Sequence, residues 1–176
     1  MNPLPKTILH TGKFLALIRE GHWEYADRTR ASGAVMIVAV TPEQKLLLVE
    51  QYRIPVHSRT MELPAGIVGD EPGNGDEANL TAAKRELEEE TGYSADHLEE
   101  LTTGPSGGGA ISERVTLVRA TQLRRVGQGG GVAHEDIVVH EVPLTEVAHW
   151  LEAKSKSGVL VDPKVYAGLY FLLQNK

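Results

Sequence analysis

Residues 77–93 read EANLTAAKRELEEETGY and close on Arg85-Glu86-Leu87-Glu88-Glu89-Glu90-Thr91-Gly92-Tyr93. On a helix Glu86, Glu89 and Glu90 stand three and four residues apart and share one face. Like charges at that spacing repel by roughly a few tenths of a kcal/mol per pair. A chain that keeps such a cluster has reason to set something positive against it. A small divalent cation that prefers oxygen ligands, Mg²⁺ first among them, meets that need. Ala83, Leu87 and Leu80 mark an apolar flank beside the acidic arc, so the helix can bury one side and present its carboxylates on another. Gly92 supplies a C-cap.

Working outward, residues 66–76 (GIVGDEPGNGD) read as a polar, Gly-rich loop leading into the helix. Ahead of it, Ala34–Val40 is a nearly continuous apolar run suited to a buried strand. Thr41-Pro42-Glu43-Gln44 is a turn, and Lys45–Tyr52 a second strand, so the two are expected to form a hairpin. Met61–Leu63 reads as a short strand stopped by Pro64. At the N-terminus Ile8–Ile18 and His22–Arg30, parted by Gly21, read as a strand pair in a small arm. Downstream, Arg114–Arg119 and Asp136–Val142 read as strands. Leu144–Ala153 and Pro163–Leu173 read as helices, the second with Asp162 as N-cap and Pro163 at its first position. No internal repeat is present. The layout predicts an α/β fold, a mixed sheet between helices, with a β arm over residues 1–32 ahead of a main domain over 33–176.

The chain has 176 residues, enough for one core-forming domain. Its formal net charge of −6 argues against a nucleic-acid binder that works through basic patches. A small anionic substrate stays open, because a bound metal reverses the local field. With no cysteine, disulfides, thiolate chemistry and zinc–thiolate sites are excluded. MNPLPKTILHTGKF lacks the basic-then-apolar pattern of a leader, and no run approaches membrane-spanning length, so a cytoplasmic location is expected.

The spacing around the helix has a further consequence. Glu77 is followed by seven residues, Arg85-Glu86-Leu87, one residue, Glu89-Glu90, one residue and Gly92-Tyr93. This resembles the Nudix box, complete from Glu77 onward. The box glycine is assigned to Gly66 in Leu63-Pro64-Ala65-Gly66. That leaves ten residues before Glu77 where the pattern has five, a lengthened loop whose extra residues add little closure entropy. The resemblance implies Glu86 and Glu90 as metal ligands, with Glu89 in support and the Ala65 carbonyl as a further ligand. Arg85, four residues before Glu89, can pair with it and fix its rotamer. Glu77 is expected to tether the loop at the start of the helix. Mg²⁺, with Mn²⁺ as the alternative, is the implied cofactor.

Glu62-Leu63-Pro64-Ala65-Gly66 and Glu50-Gln51-Tyr52-Arg53-Ile54-Pro55 are similar to the ADP-ribose pyrophosphatase and nucleoside diphosphate sugar hydrolase branch. By that likeness Arg53 is a substrate contact at the diphosphate. Trp23-Glu24 with Arg28 resembles an N-terminal segment that in dimeric members forms the base pocket, often across the dimer interface. Trp23 can stack on a purine, and Arg28 can add charge or stacking; Phe14 is a second stacking candidate. The base that activates water falls to Glu135, after the Gly127–Gly131 stretch that could swing it over the metals, or to Glu113, with Glu89 beside them. One departure concerns the sugar: where ADP-ribose enzymes carry a proline ahead of the Ser-Glu pair, this chain has Gly108.

The sequence therefore implies metal-dependent hydrolysis of a nucleoside diphosphate sugar by a homodimer that engages neither nucleic acid nor membrane. The rival readings are hydrolysis of nucleoside triphosphates or dinucleoside polyphosphates, and a non-catalytic nucleotide-sugar sensor.

Overall fold

The computed structural model describes residues 4–69, 78–132 and 135–174. In chain order the strands are β1 (Lys6–Thr11), β2 (Leu15–Glu20), β3 (Trp23–Arg28), β4 (Gly33–Ala39), β5 (Lys45–Arg53), β6 (Ser58–Glu62), β7 (Ala65–Val68), β8 (Tyr93–Pro105), β9 (Arg114–Arg125), β10 (Val138–Pro143) and β11 (Leu160–Val161). The helices are α1 (Asn79–Thr91), α2 (Val147–Lys156) and α3 (Pro163–Leu173). Among the described residues no helix is long and apolar enough to cross a membrane.

The strands form three sheets: β1-β2-β3, β10-β5-β6-β11 and β7-β4-β9-β8. The two four-stranded sheets are each mixed, with parallel pairs at β11–β6 and β4–β9. Helix α1 lies against β7, β4 and β8, whereas α2 and α3 lie against β10, β11 and β6. The β4 run is apolar throughout because both of its faces are covered. Val35, Ile37 and Ala39 join Ala82, Ala83 and Leu87 of α1 in one core. Met36 and Val38 join Leu151 of α2 and Val165 of α3 in the other.

Several expectations change here. β4 and β5 are not a hairpin: an isolated Val40–Leu46 bridge joins them at the turn, and the chain then crosses into the other sheet. Continuous apolar runs report burial on both sides, not which strand is the neighbour. The mixed α/β sandwich expected from the sequence is present, its sheet layer being two four-stranded mixed sheets between α1 and the α2–α3 pair. In the arm the expected pair is a three-stranded meander, because Gly12 turns the chain, with its amide on the Leu15 carbonyl at 2.8 Å. The loop expected from Gly66 begins as β7, and Leu80 is 36% exposed instead of buried. Besides β7, two further strands were unforeseen, β8 and the two-residue β11. Most of β8 is exposed and polar beyond Ala95, so it lacks the apolar alternation that marks a strand. The Asp162 cap holds as expected, its carboxylate accepting the Lys164 amide at 2.8 Å. Glu77 and His134 lie outside the described residues.

Candidate active site

Helix α1 is fixed by its buried flank, Ala82, Ala83 and Leu87, and ends where Gly92 takes the left-handed conformation at φ 73°. That seating turns Glu90 and Glu86 toward β7. Glu90 is only 4% exposed, and its Oε2 accepts the Ala65 backbone N–H at 2.9 Å. The Glu86 carboxylate lies directly over Gly66: a Cβ at that position would stand 1.8 Å from Glu86 Cδ. Glycine is required at residue 66 by this close approach. Arg85 organises the outer side, with Nη1 donating to Glu86 Oε1 at 2.8 Å and to Glu89 Oε2 at 3.3 Å. The expected Arg85–Glu89 pair is thus present, together with a shorter one to Glu86.

Burial pushes the Glu90 carboxyl up to about 8, and the charges of Glu86 and Glu135 add to the shift against the opposing Ala65 hydrogen bond. A carboxylate driven so far from its ordinary range, beside two others, is a place where a cation relieves both desolvation and repulsion.

These groups open into a cavity of about 430 Å³ whose walls also carry Arg28, Arg53, Glu62, Glu113 and Glu135. The two arginines are held from behind. Arg53 donates from Nε to Glu62 Oε1 at 2.8 Å and from Nη2 to Glu62 Oε2 at 2.6 Å, a bidentate pair. Arg28 donates from Nε to Glu113. Glu135 has its carboxylate on the Val132 amide at 2.9 Å. One cavity thus gathers several carboxylates and two oriented guanidiniums, an arrangement suited to a polyanion bridged to the carboxylates by cations.

A family model, the NUDIX domain, matches residues 30–161. The chain belongs to the Nudix family. It is 34% identical over 153 residues to a methanol dehydrogenase activator of Bacillus methanolicus, covering 86% of this chain and 78% of that one. It is 35% identical over 123 residues to an ADP-ribose pyrophosphatase of Bacillus subtilis (strain 168), covering 69% and 64%. It is 30% identical over 152 residues to a GDP-mannose pyrophosphatase of Citrobacter koseri (strain ATCC BAA-895 / CDC 4225-83 / SGSC4696), covering 81% and 74%. Among solved structures, an ADP compounds hydrolase superposes with a TM-score of 0.72 at 20% identity, over 98% of this chain and 92% of that one; the likeness establishes the fold.

Within this Nudix chain, the residues singled out from the sequence separate into different places. Glu86, Glu90, Ala65, Arg28, Arg53, Glu113 and Glu135 line the same cavity. Glu89 does not line it: with Arg85, to which it is paired, it lies along a separate groove beside Leu80, Thr81, Lys84 and Glu88, because its helix position turns it away from Glu86 and Glu90. Trp23 and Glu24 do not reach the cavity either. Trp23, 51% exposed, lines a second cavity of about 360 Å³ with Tyr25, Gly108 and Ile111, and Glu24 pairs with Arg19 at 2.7 Å. Sequence reasoning gave no role to Glu62, which orients Arg53. The signal was present in the paired segments that hold the two residues, but a cross-strand pair is visible only once β5 and β6 are placed side by side. Gln51 and Lys164 also line the cavity, and nothing in their local sequence marks them.

The donor set fits a hard divalent cation, being carboxylate oxygens with the Ala65 peptide nearby. Among the described residues no three carboxylate or imidazole groups converge on one point. Glu86, Glu89 and Glu90 are each engaged by protein donors. A cation held there would keep several of its waters or take phosphate oxygens, as Mg²⁺ commonly does.

Proposed function

We propose that the cavity hydrolyses the diphosphate of a nucleoside diphosphate sugar, ADP-ribose or a close analogue, to a nucleoside monophosphate and a sugar phosphate. The observation that carries this is that Arg28 and Arg53 line one cavity together with Glu86 and Glu90. The named activities of the Bacillus subtilis and Citrobacter koseri relatives support the substrate class. Glu86, Glu89 and Glu90, with the Ala65 carbonyl, would hold Mg²⁺, or Mn²⁺ in its place, and the metal supplies charge neutralisation at the diphosphate and an acidified water.

Arg53 and Arg28 orient the diphosphate, the first as a planar fork kept in plane by Glu62 and the second from the Glu113 side. Water oxygen bonds to one phosphorus, the bond from that phosphorus to the bridging oxygen breaks, and the proton of the water passes to a carboxylate. Glu135 suits that last role better than Glu113. The Glu113 carboxylate is already engaged by Arg28, whereas among the described residues the Glu135 carboxylate accepts an amide of its own loop and no cationic side chain. The substrate class also favours a cytoplasmic location, where such nucleotides are metabolised.

The arm over residues 1–32 is proposed as a dimer contact, with the main domain over 33–176 carrying the chemistry. β1 is exposed along its whole length, and Ile8 and Phe14 are 63% and 68% exposed. The proposal is tested by ³¹P NMR of ADP-ribose, GDP-mannose, ATP and a dinucleoside tetraphosphate incubated with Mg²⁺, then with EDTA. The expected result is a nucleoside monophosphate and a sugar phosphate from at least one sugar nucleotide, abolished by EDTA. Turnover confined to ATP or the tetraphosphate would overturn it, as would no turnover at all.

A further inference from the structure

The backbone of residues 127–131 lies against the C-terminal turn of α1. Val126 and Gly127 both donate to the Gly92 carbonyl, at 2.8 and 3.0 Å. Gly130 donates to the Glu90 carbonyl at 2.8 Å and Gly131 to the Glu89 carbonyl at 3.1 Å. Carbonyls in the last turn of a helix have no partner within it, and here two of them belong to the acidic cluster. The sequence suggested a freely swinging glycine stretch; its amides instead serve as an external cap.

The approach is as close as two backbones can come. A Cβ on Gly129 would lie 2.4 Å from Thr91 C and 2.7 Å from the Glu90 carbonyl oxygen, and Gly129, Gly130 and Gly131 have φ of 69°, 104° and 81°. At Gly129 and Gly131 a side chain is excluded both by space and by the left-handed backbone, and at Gly130 by the backbone alone. Directly beyond, a Cβ on Gly131 would lie 2.5 Å from Glu135 Oε2, so the Glu135 carboxylate rests on the end of the cap. The next residue, Asp136, pairs with Arg59 at 3.3 Å, and Arg59 is held by Glu50 at 2.7 Å.

We propose that Gly127–Gly131 is a positioning element that couples the last turn of α1 to Glu135. The carboxylates that hold the cation and the one that takes the proton are then set as a unit. The inference rests on the function proposed above. None of the four glycines in this stretch lines the cavity; they act through Glu89, Glu90 and Glu135.

The test compares Gly129→Ala with Gly158→Ala. Gly158 shares a left-handed φ of 94° but has open space around it, so its variant isolates backbone strain from loss of the cap. Three quantities are measured: amide exchange at residues 130 and 131, the Mg²⁺ dependence of Tm without substrate, and kcat and KM on the nucleotide sugar that wild type cleaves. In Gly129→Ala, exchange at both amides should accelerate, Mg²⁺ affinity should fall about tenfold or more, and kcat should fall about 10–100-fold with KM little changed. Gly158→Ala should lose stability and keep both wild-type responses. A folded Gly129→Ala with wild-type Mg²⁺ affinity and kcat would overturn the coupling. If Gly129→Ala does not fold, Gly131→Ala decides: it should lower kcat by displacing Glu135, and an unchanged kcat would overturn the coupling. A wild type inert toward every nucleotide sugar would sink the functional reading separately, leaving the exchange and Mg²⁺ measurements to decide the cap.

Discussion

At Glu90 burial and the charges of Glu86 and Glu135 outweigh the Ala65 hydrogen bond and Arg53, raising the carboxyl from an ordinary 4.5 to about 8. Between those values the folded protein holds a proton that the unfolded chain has released. The Glu90 contribution to the stability of the metal-free protein, read as wild type minus Glu90→Gln, should therefore fall as pH rises from about 5 to about 8, by an amount on the order of a few kcal/mol. Saturating Mg²⁺ should oppose that fall; urea unfolding of both proteins across the pH range reads it. A wild-type-minus-variant difference that rises over this window would contradict the assignment, whereas the lowered His140 by itself adds stability as pH rises in both proteins. Gly66 offers a second handle. Gly66→Ala should displace the Glu86 carboxylate and lower turnover by about 10–100-fold with the circular dichroism unchanged; wild-type turnover would show that Glu86 is not needed where it lies. The Arg85–Glu89 pair was legible because i,i+4 spacing is local. The reason for Gly66 was not, since the atoms that forbid a side chain there arrive from a helix twenty residues on.

Among elements, α1 and α3 were readable because their ends carry chemical signals, Gly92 on one and Asp162-Pro163 on the other. β8 was not, since an exposed polar strand has no apolar alternation to announce it. The connection from β9 to β10 was half-legible: its glycines were plain, but their use as a helix cap depends on a contact between distant segments. This connection also separates the two candidate bases. Glu135→Gln should lower kcat by about 10²–10⁴. Glu113→Gln should act chiefly on KM, through the loss of its pair with Arg28. Steady-state kinetics of both variants give the ranking, and the reverse pattern would transfer the role of base to Glu113.

For the whole molecule, the sequence located the acidic cluster and most of the residues that share its cavity, but not the two-sheet arrangement that assembles them. Buried runs such as Ala34–Val40 fix that a strand is covered, and the neighbour is chosen by packing far along the chain. The separation of Trp23 from the acidic cavity is likewise a property of the assembled chain. If the arm joins two copies, light scattering should give twice the 19.2 kDa chain mass. Ile8→Lys with Leu17→Lys should shift it toward one copy. A monomeric wild type would remove the arm from the account of the base pocket.

The most direct test of the central claim is turnover of the cleaved nucleotide sugar by Glu90→Gln in saturating Mg²⁺, followed by ³¹P NMR of the products. A fold retained with turnover reduced by at least about 10² is predicted. Nucleoside monophosphate and sugar phosphate released at the wild-type rate would contradict it.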